Sequence, residues 1–140
     1  MMKILLSIMA LVSLLLSAEL NWSSEYDEVL KEAKVQKKNV YMLITAEDCR
    51  WCRKFEATTL QDKATLERLN EKYVLLHVDK DLDFFPKKFD RKRVPKHYFL
   101  TDEGEEIHSF LGYWSSEDFA SFLDDVEKRY KENFINKGKK

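Results

Sequence analysis

Two cysteines with two residues between them, Cys49 and Cys52, are the side chains of this protein best suited to covalent chemistry. They follow an apolar run at residues 40–44 and open a helical pattern, so both sulfurs are expected at a strand-to-helix junction. Unpaired N–H groups at a helix N-terminus stabilise a thiolate and lower its pKa from ~8.5 into the range ~3.5–7.5. Cys49 is therefore predicted to be the attacking thiolate. Cys52, about one helical turn further on, is predicted to be the more buried thiol that closes the disulfide.

Half of a metal site and an inert structural bridge are two other uses of such a pair. Zinc usually takes four ligands, but the chain has no second cysteine pair, and His77, His97 and His108 show no ligand spacing. A bridge across so short a loop constrains almost none of the chain and adds little stability. No glycine-rich phosphate loop or serine-centred triad is present in the sequence. We therefore predict a redox dithiol that works with no cofactor and no bound metal.

The residues next to the cysteines are expected to tune and present the sulfurs. A cation at Arg50 favours the thiolate, whereas the carboxylates of Glu47 and Asp48 oppose it, so the sequence leaves the sign of the net pKa shift open. Glu47 is also a candidate base for proton transfer, against the plainer role of a solvated loop carboxylate. Trp51 is expected either to offer an aromatic face to a bound partner or to pack against the loop at the strand end.

Residues 1–18 have the pattern of a secretory signal peptide. Lys3 precedes an apolar run of about 13 residues, which is shorter than the ~20 residues of a membrane span, and Ser17 and Ala18 supply small residues for cleavage. We predict export to the periplasm, with the leader either cleaved or kept as an anchor. A buried N-terminal helix is the alternative. Residues 19–135 are expected to form one domain, and residues 136–140 a disordered basic tail.

The charge balance limits the classes of partner that the protein is expected to bind. Lys and Arg number 24 against 25 Asp and Glu, so there is no basic excess of the kind that binds nucleic acid. We expect a monomer that exchanges with protein or peptide thiols and disulfides and that has a membrane-linked or soluble redox partner. The basic segment, residues 87–96, is expected either to favour acidic partners or to be a solvated helix end.

The hydrophobic pattern orders the elements as helix, strand, helix, strand, helix, strand, strand, helix. A first amphipathic helix is expected to be capped by Ser24, and the helix that carries the cysteines by Asp48. The second helix should break near residues 58–59 and resume after Asp62. Buried strands are expected at residues 40–46 and 74–78, with a short helical crossover around Pro86, as between parallel strands.

The last third of the chain predicts an antiparallel hairpin and a closing helix. Strands at residues 96–100 and 106–111 flank a turn that contains Gly104. Gly112 then interrupts the chain, and Ser115 is placed to cap a helix whose apolar stripe reaches Tyr130. Together these elements predict an α/β domain with a central mixed sheet of about four strands flanked by helices.

With this order of elements the chain resembles the thioredoxin superfamily over essentially all of residues 19–135. Residues 49–52 match the active-site motif of that family, Val94-Pro95 its cis-proline loop, and residues 102–104 its hairpin turn. Among the members, the chain looks most like the small exported bacterial thioredoxin-like proteins. The resemblance implies a thioredoxin fold, here with an extra N-terminal amphipathic helix.

The resemblance also implies roles for individual residues. The bond before Pro95 is expected to be cis, and the backbone of Val94 is expected to pair with a bound peptide like an added strand, with Trp51 beside it. One departure from the family is Leu43. Many thioredoxins have a buried aspartate at that position, six residues before the first cysteine, which helps to move the proton of the second cysteine. Arg93 is bulkier than the family often has and is expected to narrow the peptide groove.

The sequence therefore predicts an exported thiol:disulfide oxidoreductase that acts on protein disulfides. The acidic pair Glu47 and Asp48 favours a reductant slightly, because it should make the disulfide less oxidising. A non-catalytic binding module, which would hold client peptides or a partner through Trp51, Val94 and the basic segment, is the alternative. A metal-handling protein that uses the two thiols is a third possibility.

Overall fold

Five strands form one mixed sheet in the computed structural model, which describes residues 19–139. They are β1 (Trp22–Ser23), β2 (Asn39–Thr45), β3 (Tyr73–Asp79), β4 (Lys96–Leu100) and β5 (Glu106–Leu111). Their order across the sheet is β1-β3-β2-β4-β5. β3 is parallel to both β1 and β2, whereas β4 is antiparallel to β2 and β5. The predicted sheet of about four strands is therefore confirmed, and the two-residue β1 extends it along β3.

Four α-helices of residues 19–139 flank the sheet. They are α1 (Tyr26–Gln36), α2 (Arg50–Ala57), α3 (Lys63–Lys72) and α4 (Ser116–Tyr130). A 3-10 helix, Thr59–Gln61, separates α2 from α3, which confirms the predicted break. Beyond α4 the chain continues through a π-helix, Lys131–Ile135, and a 3-10 helix, Asn136–Lys139. The predicted leader at residues 1–18 lies outside the described residues.

Of the three predicted N-caps, Ser115 is confirmed and two are wrong, and Asp62, after which the helix was predicted to resume, is also an N-cap. Asp62 accepts from the N–H of residue 65 at 3.0 Å, and Ser115 accepts from the N–H of residue 118 at 3.2 Å. Ser24 does not cap α1, because the helix starts one residue later, with Glu25 at the N-cap and no side-chain hydrogen bond. Asp48 does not cap α2, because Cys49 occupies that position and its own sulfur accepts the bond.

The predicted helical crossover around Pro86 is wrong. Residues 80–95 form turns and irregular backbone, and β4 is antiparallel to its neighbours, so no crossover between parallel strands is needed here. Side chains take up the backbone groups that a helix would have paired. The Asp79 carboxylate accepts from two backbone N–H groups in the next turn, and Arg91 donates to the carbonyls of Lys80 and Phe85.

The core lies on both faces of the sheet, and β2 is buried between them. Val40, Met42 and Ile44 contact the apolar cluster under α1, whereas Tyr41 and Leu43 contact the cluster under α2 and α4. β2 and β3 are parallel in register, with residue 45 opposite residue 79, so both strands end at one edge of the sheet. The segment that carries the dithiol leaves the sheet at this edge.

Candidate active site

Cys49 and Cys52 lie where β2 ends and α2 begins. Cys49 is the N-cap residue of α2, with extended backbone angles (φ −137°, ψ 99°). The two sulfurs form a disulfide, and the two Cα atoms are 5.3 Å apart. The Cys49 sulfur also accepts a hydrogen bond from the N–H of Cys52 at 3.1 Å. The helix N-terminus thus places a backbone donor on this sulfur, an arrangement that stabilises a thiolate once the bridge is reduced.

The two cysteines differ in exposure in the sense that the sequence predicted. Cys49 is 7 % exposed and Cys52 is 2 % exposed. The inward face of α2 carries Cys52 together with Phe55, which is completely buried, so the helix itself encloses the second sulfur. Cys49 is therefore slightly more exposed than Cys52, although both residues are buried in the disulfide form.

Trp51 and Tyr113 form an aromatic surface beside the dithiol. Trp51 is 45 % exposed, and its ring centroid lies 5.9 Å from that of Tyr113. The Arg50 guanidinium lies 4.9 Å from the Trp51 centroid, and the Lys54 ammonium lies 5.2 Å from Trp51 and 4.7 Å from Tyr113. Trp51 thus both packs against a neighbouring residue and keeps an exposed face. The cations near the sulfurs are held over aromatic rings.

The Val94–Pro95 segment leads into β4 at the dithiol edge of the sheet. The peptide bond between the two residues is cis, Pro95 is buried, and Val94 is half-buried. The Pro95 carbonyl accepts a hydrogen bond from the N–H of Gly112 at 2.8 Å, which joins the start of β4 to the end of β5. Since Ile44 pairs with Lys96, Pro95 lies at the edge where β2 ends and α2 begins.

His97 lies in the core two residues beyond Pro95 and is completely buried. Its Nε2 donates to the Gly112 carbonyl at 2.8 Å, so its Nδ1 accepts from the Tyr41 hydroxyl at 2.6 Å. Burial lowers the pKa of His97 from 6.5 to about 4, against the opposing effect of the bond to Gly112. Burial also raises the pKa of Tyr41 well above 10. The imidazole is therefore neutral at ordinary pH and ties β2 to the end of β5.

Leu43 and Glu47 occupy two positions that bear on proton transfer. Leu43 is completely buried, and its register partners on the neighbouring strands are His77 and His97. Glu47 is exposed in the loop before α2, where its backbone carbonyl accepts from Arg53 at 3.1 Å. Neither position therefore supplies an internal base for Cys52. Leu43 has no acidic group, and the Glu47 side chain faces solvent.

Two cations of the basic segment have structural roles. Lys88 donates to the Gly104 carbonyl at 2.7 Å, and the Arg91 guanidinium lies 3.8 Å from the Phe85 ring while donating to the Phe85 carbonyl. Arg93, by contrast, is exposed. Lys88 and Arg91 therefore hold the loop between β3 and β4 together, whereas Arg93 remains on the surface.

Sequence reasoning missed a polar group beside α2 that consists of Thr45, Glu56 and His77. The His77 Nε2 lies 2.8 Å from the Thr45 hydroxyl and 3.3 Å from a Glu56 carboxylate oxygen. The Trp22 ring of β1 meets the His77 ring edge-on, with the centroids 5.5 Å apart. The one sequence signal for this group is the position of Glu56, four residues after Cys52 and hence on the same helix face.

Residues 19–139 contain no group of three or more His, Cys, Asp or Glu side chains arranged to hold a metal ion. Among the same residues, no helix combines the length and the apolar character that crossing a membrane requires.

A family model described as a thioredoxin-like domain matches residues 26–127, so the protein belongs to the thioredoxin-like family. The matched range contains the dithiol, the cis bond before Pro95 and the whole sheet except β1. The fold and the close Cys49–Cys52 pair fit a thiol:disulfide oxidoreductase.

Solved structures with the same fold include several redox proteins. A DsbH oxidoreductase has a TM-score of 0.60 and 20 % identity, over 81 % of this chain and 85 % of that one. A thioredoxin from Thermus thermophilus has a TM-score of 0.60 and 21 % identity, over 78 % of this chain and 85 % of that one. The periplasmic thioredoxin SoxS from Paracoccus pantotrophus has a TM-score of 0.53 and 11 % identity, over 66 % of this chain and 98 % of that one. A comparison with curated proteins finds no match.

Proposed function

We propose that this protein is an exported thiol:disulfide oxidoreductase that exchanges disulfides with protein substrates through Cys49 and Cys52. The observation that carries the proposal is the N-cap position of Cys49, whose sulfur both accepts the Cys52 N–H and is bonded to the Cys52 sulfur. In the reduced protein, the Cys49 thiolate would attack a partner disulfide, and Cys52 would resolve the mixed disulfide.

The surroundings of the dithiol support a protein or peptide substrate. Trp51 keeps an exposed face beside Cys49, and Val94 precedes the cis bond at the same edge of the sheet. A peptide that paired with the Val94 backbone as an added strand would pass between these two residues. Exposed Arg93 would border that peptide and limit the bulk of its side chains.

The direction of electron flow proposed here is reduction of the partner. Glu47 and Asp48 are exposed and immediately precede Cys49, where their charge opposes the thiolate. The opposing cations of Arg50 and Lys54 lie over aromatic rings. A reduction potential near about −270 mV would support a reductant, whereas one near about −120 mV would mark an oxidant and contradict this part of the proposal.

The proposed compartment is the periplasm. The support is the signal-like pattern of residues 1–18, and one structural neighbour, SoxS, is described as a periplasmic thioredoxin. Fractionation of cells that express the full chain and a version starting at Glu19 tests this directly. The full chain is expected in the periplasmic or membrane fraction, and its retention in the cytoplasm would contradict export.

Insulin reduction by the purified protein in the presence of dithiothreitol tests the activity. We expect turnover that Cys49→Ser abolishes, and a Cys52→Ser variant that accumulates mixed disulfides with its clients. Those trapped species would also identify the redox partner. Absence of turnover with peptide binding intact would instead support a non-catalytic binding module.

A further inference from the structure

We propose that Glu56 is the proton acceptor for Cys52, and that His77 holds its carboxylate in position. This inference rests on the proposed function, because it assigns the proton transfer that precedes resolution of the mixed disulfide. It places the base on helix α2 rather than on strand β2, where Leu43 stands.

The need for an internal base follows from burial. Cys52 is 2 % exposed, so solvent has poor access to its thiol, and a thiol of ordinary pKa is almost fully protonated at pH 7. Only the thiolate attacks a disulfide. Leu43 is completely buried and carries no ionisable group, and Glu47 faces solvent.

Glu56 is placed to supply that base. It follows Cys52 by four residues within α2, and such pairs have Cβ atoms about 5–6 Å apart on one helix face. Its side chain turns towards the sheet, where a carboxylate oxygen lies 3.3 Å from the His77 Nε2. Its charge also contributes to raising the pKa of the buried Tyr41 phenol, so the carboxylate acts electrostatically on the buried face of the sheet.

His77 contacts the Glu56 carboxylate and borders a route to solvent. Its Nε2 also lies 2.8 Å from the Thr45 hydroxyl, and the Trp22 ring meets the imidazole edge-on. His77 and Glu56 line one cleft of about 790 Å³. The other charged groups of this cleft are Glu19 before β1 and, on α3, Lys63 and Glu67. A proton accepted by Glu56 can leave the protein through this cleft without crossing the dithiol surface.

The proposed step conserves atoms and electrons. In the mixed disulfide, Cys49 is bonded to a partner sulfur, and Cys52 is a thiol. The Cys52 proton passes to the Glu56 carboxylate, and the resulting thiolate attacks the Cys49 sulfur. The Cys49–Cys52 bond forms, the bond from Cys49 to the partner breaks, and the partner leaves as a thiolate. The dithiol has then lost two electrons to the partner disulfide, and Glu56 releases its proton to solvent.

Reaction of the reduced protein with the nitrobenzoate disulfide reagent DTNB separates the two steps. The first nitrothiobenzoate is released when Cys49 is modified, and the second when Cys52 resolves the mixed disulfide. We expect Glu56→Gln to leave the first release unchanged and to slow the second about tenfold or more at pH 7. The wild-type and variant rates should converge above about pH 9, where hydroxide ionises the thiol without an internal base.

Two further variants make the test decisive. Glu67→Gln removes another carboxylate of the same cleft and should leave both releases unchanged. His77→Gln should slow the second release less than Glu56→Gln and show the same convergence, which gives a second measurement should Glu56→Gln fail to fold. A Glu56→Gln rate equal to wild type, or one slowed by the same factor at every pH, would overturn the inference. Failure of the wild type to release either group would instead contradict the proposed function itself, and this inference with it.

Discussion

The buried imidazole of His97 makes the stability of the fold depend on pH. In the folded protein the ring donates to the Gly112 carbonyl and accepts from the Tyr41 hydroxyl, so protonation would force that hydroxyl to change from donor to acceptor and would bury a charge. Burial lowers the pKa of His97 to about 4, whereas the unfolded chain titrates near 6.5. Below pH 6.5 the unfolded state therefore binds a proton that the folded state does not. The free energy of unfolding should fall as the pH drops from 6.5 towards 4.

The size of this effect follows from the two pKa values. At about 1.4 kcal/mol per pKa unit, the difference between 6.5 and about 4 corresponds to about 3 kcal/mol over the whole titration. Between pH 7 and pH 5 the expected loss is about 2 kcal/mol, because the unfolded imidazole is then mostly protonated and the folded one is not. Above pH 7 the His97 contribution should be constant.

Urea unfolding of the oxidised protein at pH 7 and pH 5, followed by tryptophan fluorescence, measures this loss. His97→Gln keeps one donor and one acceptor but cannot titrate. The decrease in its free energy of unfolding from pH 7 to pH 5 should therefore be smaller than that of the wild type by about 2 kcal/mol. His108→Gln is the matched control, because His108 is half-buried and should account for less of the dependence. Equal losses for the wild type and His97→Gln would refute the reasoning.

Two further predictions concern packing away from the dithiol. Gly104 has φ +78°, and a Cβ there would lie 2.6 Å from the Tyr26 hydroxyl, so Gly104→Ala should lower the free energy of unfolding by about 2 kcal/mol or more. Gly112 has φ +100° with open space around it, so Gly112→Ala should lower the free energy of unfolding only by the backbone strain of about 1–2 kcal/mol. A larger loss for Gly112→Ala than for Gly104→Ala in denaturant unfolding would contradict this. Arg68 binds two carboxylates and a carbonyl of α4 from α3, so Arg68→Met should cost about 2 kcal/mol by the same measurement. Lys63→Met removes only an exposed ion pair and should change the free energy of unfolding by less than about 1 kcal/mol. Similar losses for Arg68→Met and Lys63→Met would argue against the inter-helix role of Arg68.

The elements that the sequence predicted well are those with long hydrophobic periods or unambiguous turn chemistry. β2 is buried on both faces and reads as an unbroken apolar run, and Asp62 and Ser115 each lie directly before a helical pattern. β1 escaped prediction because its two residues are too few to show a period, and it is recognisable only through its pairing with β3. Ser24 and Asp48 were wrong caps because a neighbouring residue, Glu25 or Cys49, took the N-cap position.

The error around Pro86 has a different physical origin. The spacing of Phe84, Phe85 and Phe89 is compatible with a helix, but Phe84 is 76 % exposed, whereas the other two are buried as anchors of an irregular loop. Local side-chain hydrogen bonds determine the backbone conformation here, because the Asp79 carboxylate accepts from N–H groups that a helix would otherwise use. The hydrophobic period of a sequence carries no information about these competing hydrogen bonds.

The polar contacts of the site were beyond sequence reasoning because they join residues far apart in the chain. Tyr41 meets His97 across 56 positions, and Thr45 meets His77 across 32. Only strand register brings these pairs together. The sequence could therefore predict the dithiol, whose two members are local, but not the groups that would support its proton transfers.

The two imidazoles on either side of Leu43 differ because the sheet covers them differently. His97 is on β4, with β2 on one side and β5 on the other and with Phe55 and Phe119 packed against its ring, so it is sealed and neutral. His77 is on β3, whose outer neighbour β1 pairs only with residues 75 and 76. Because β1 lies alongside β3 only before His77, this ring reaches the cleft edge, where it can face both Glu56 and solvent. The short β1 therefore leaves α2 with a partly exposed carboxylate, Glu56, one turn beyond Cys52, whereas the buried Leu43 has no ionisable group.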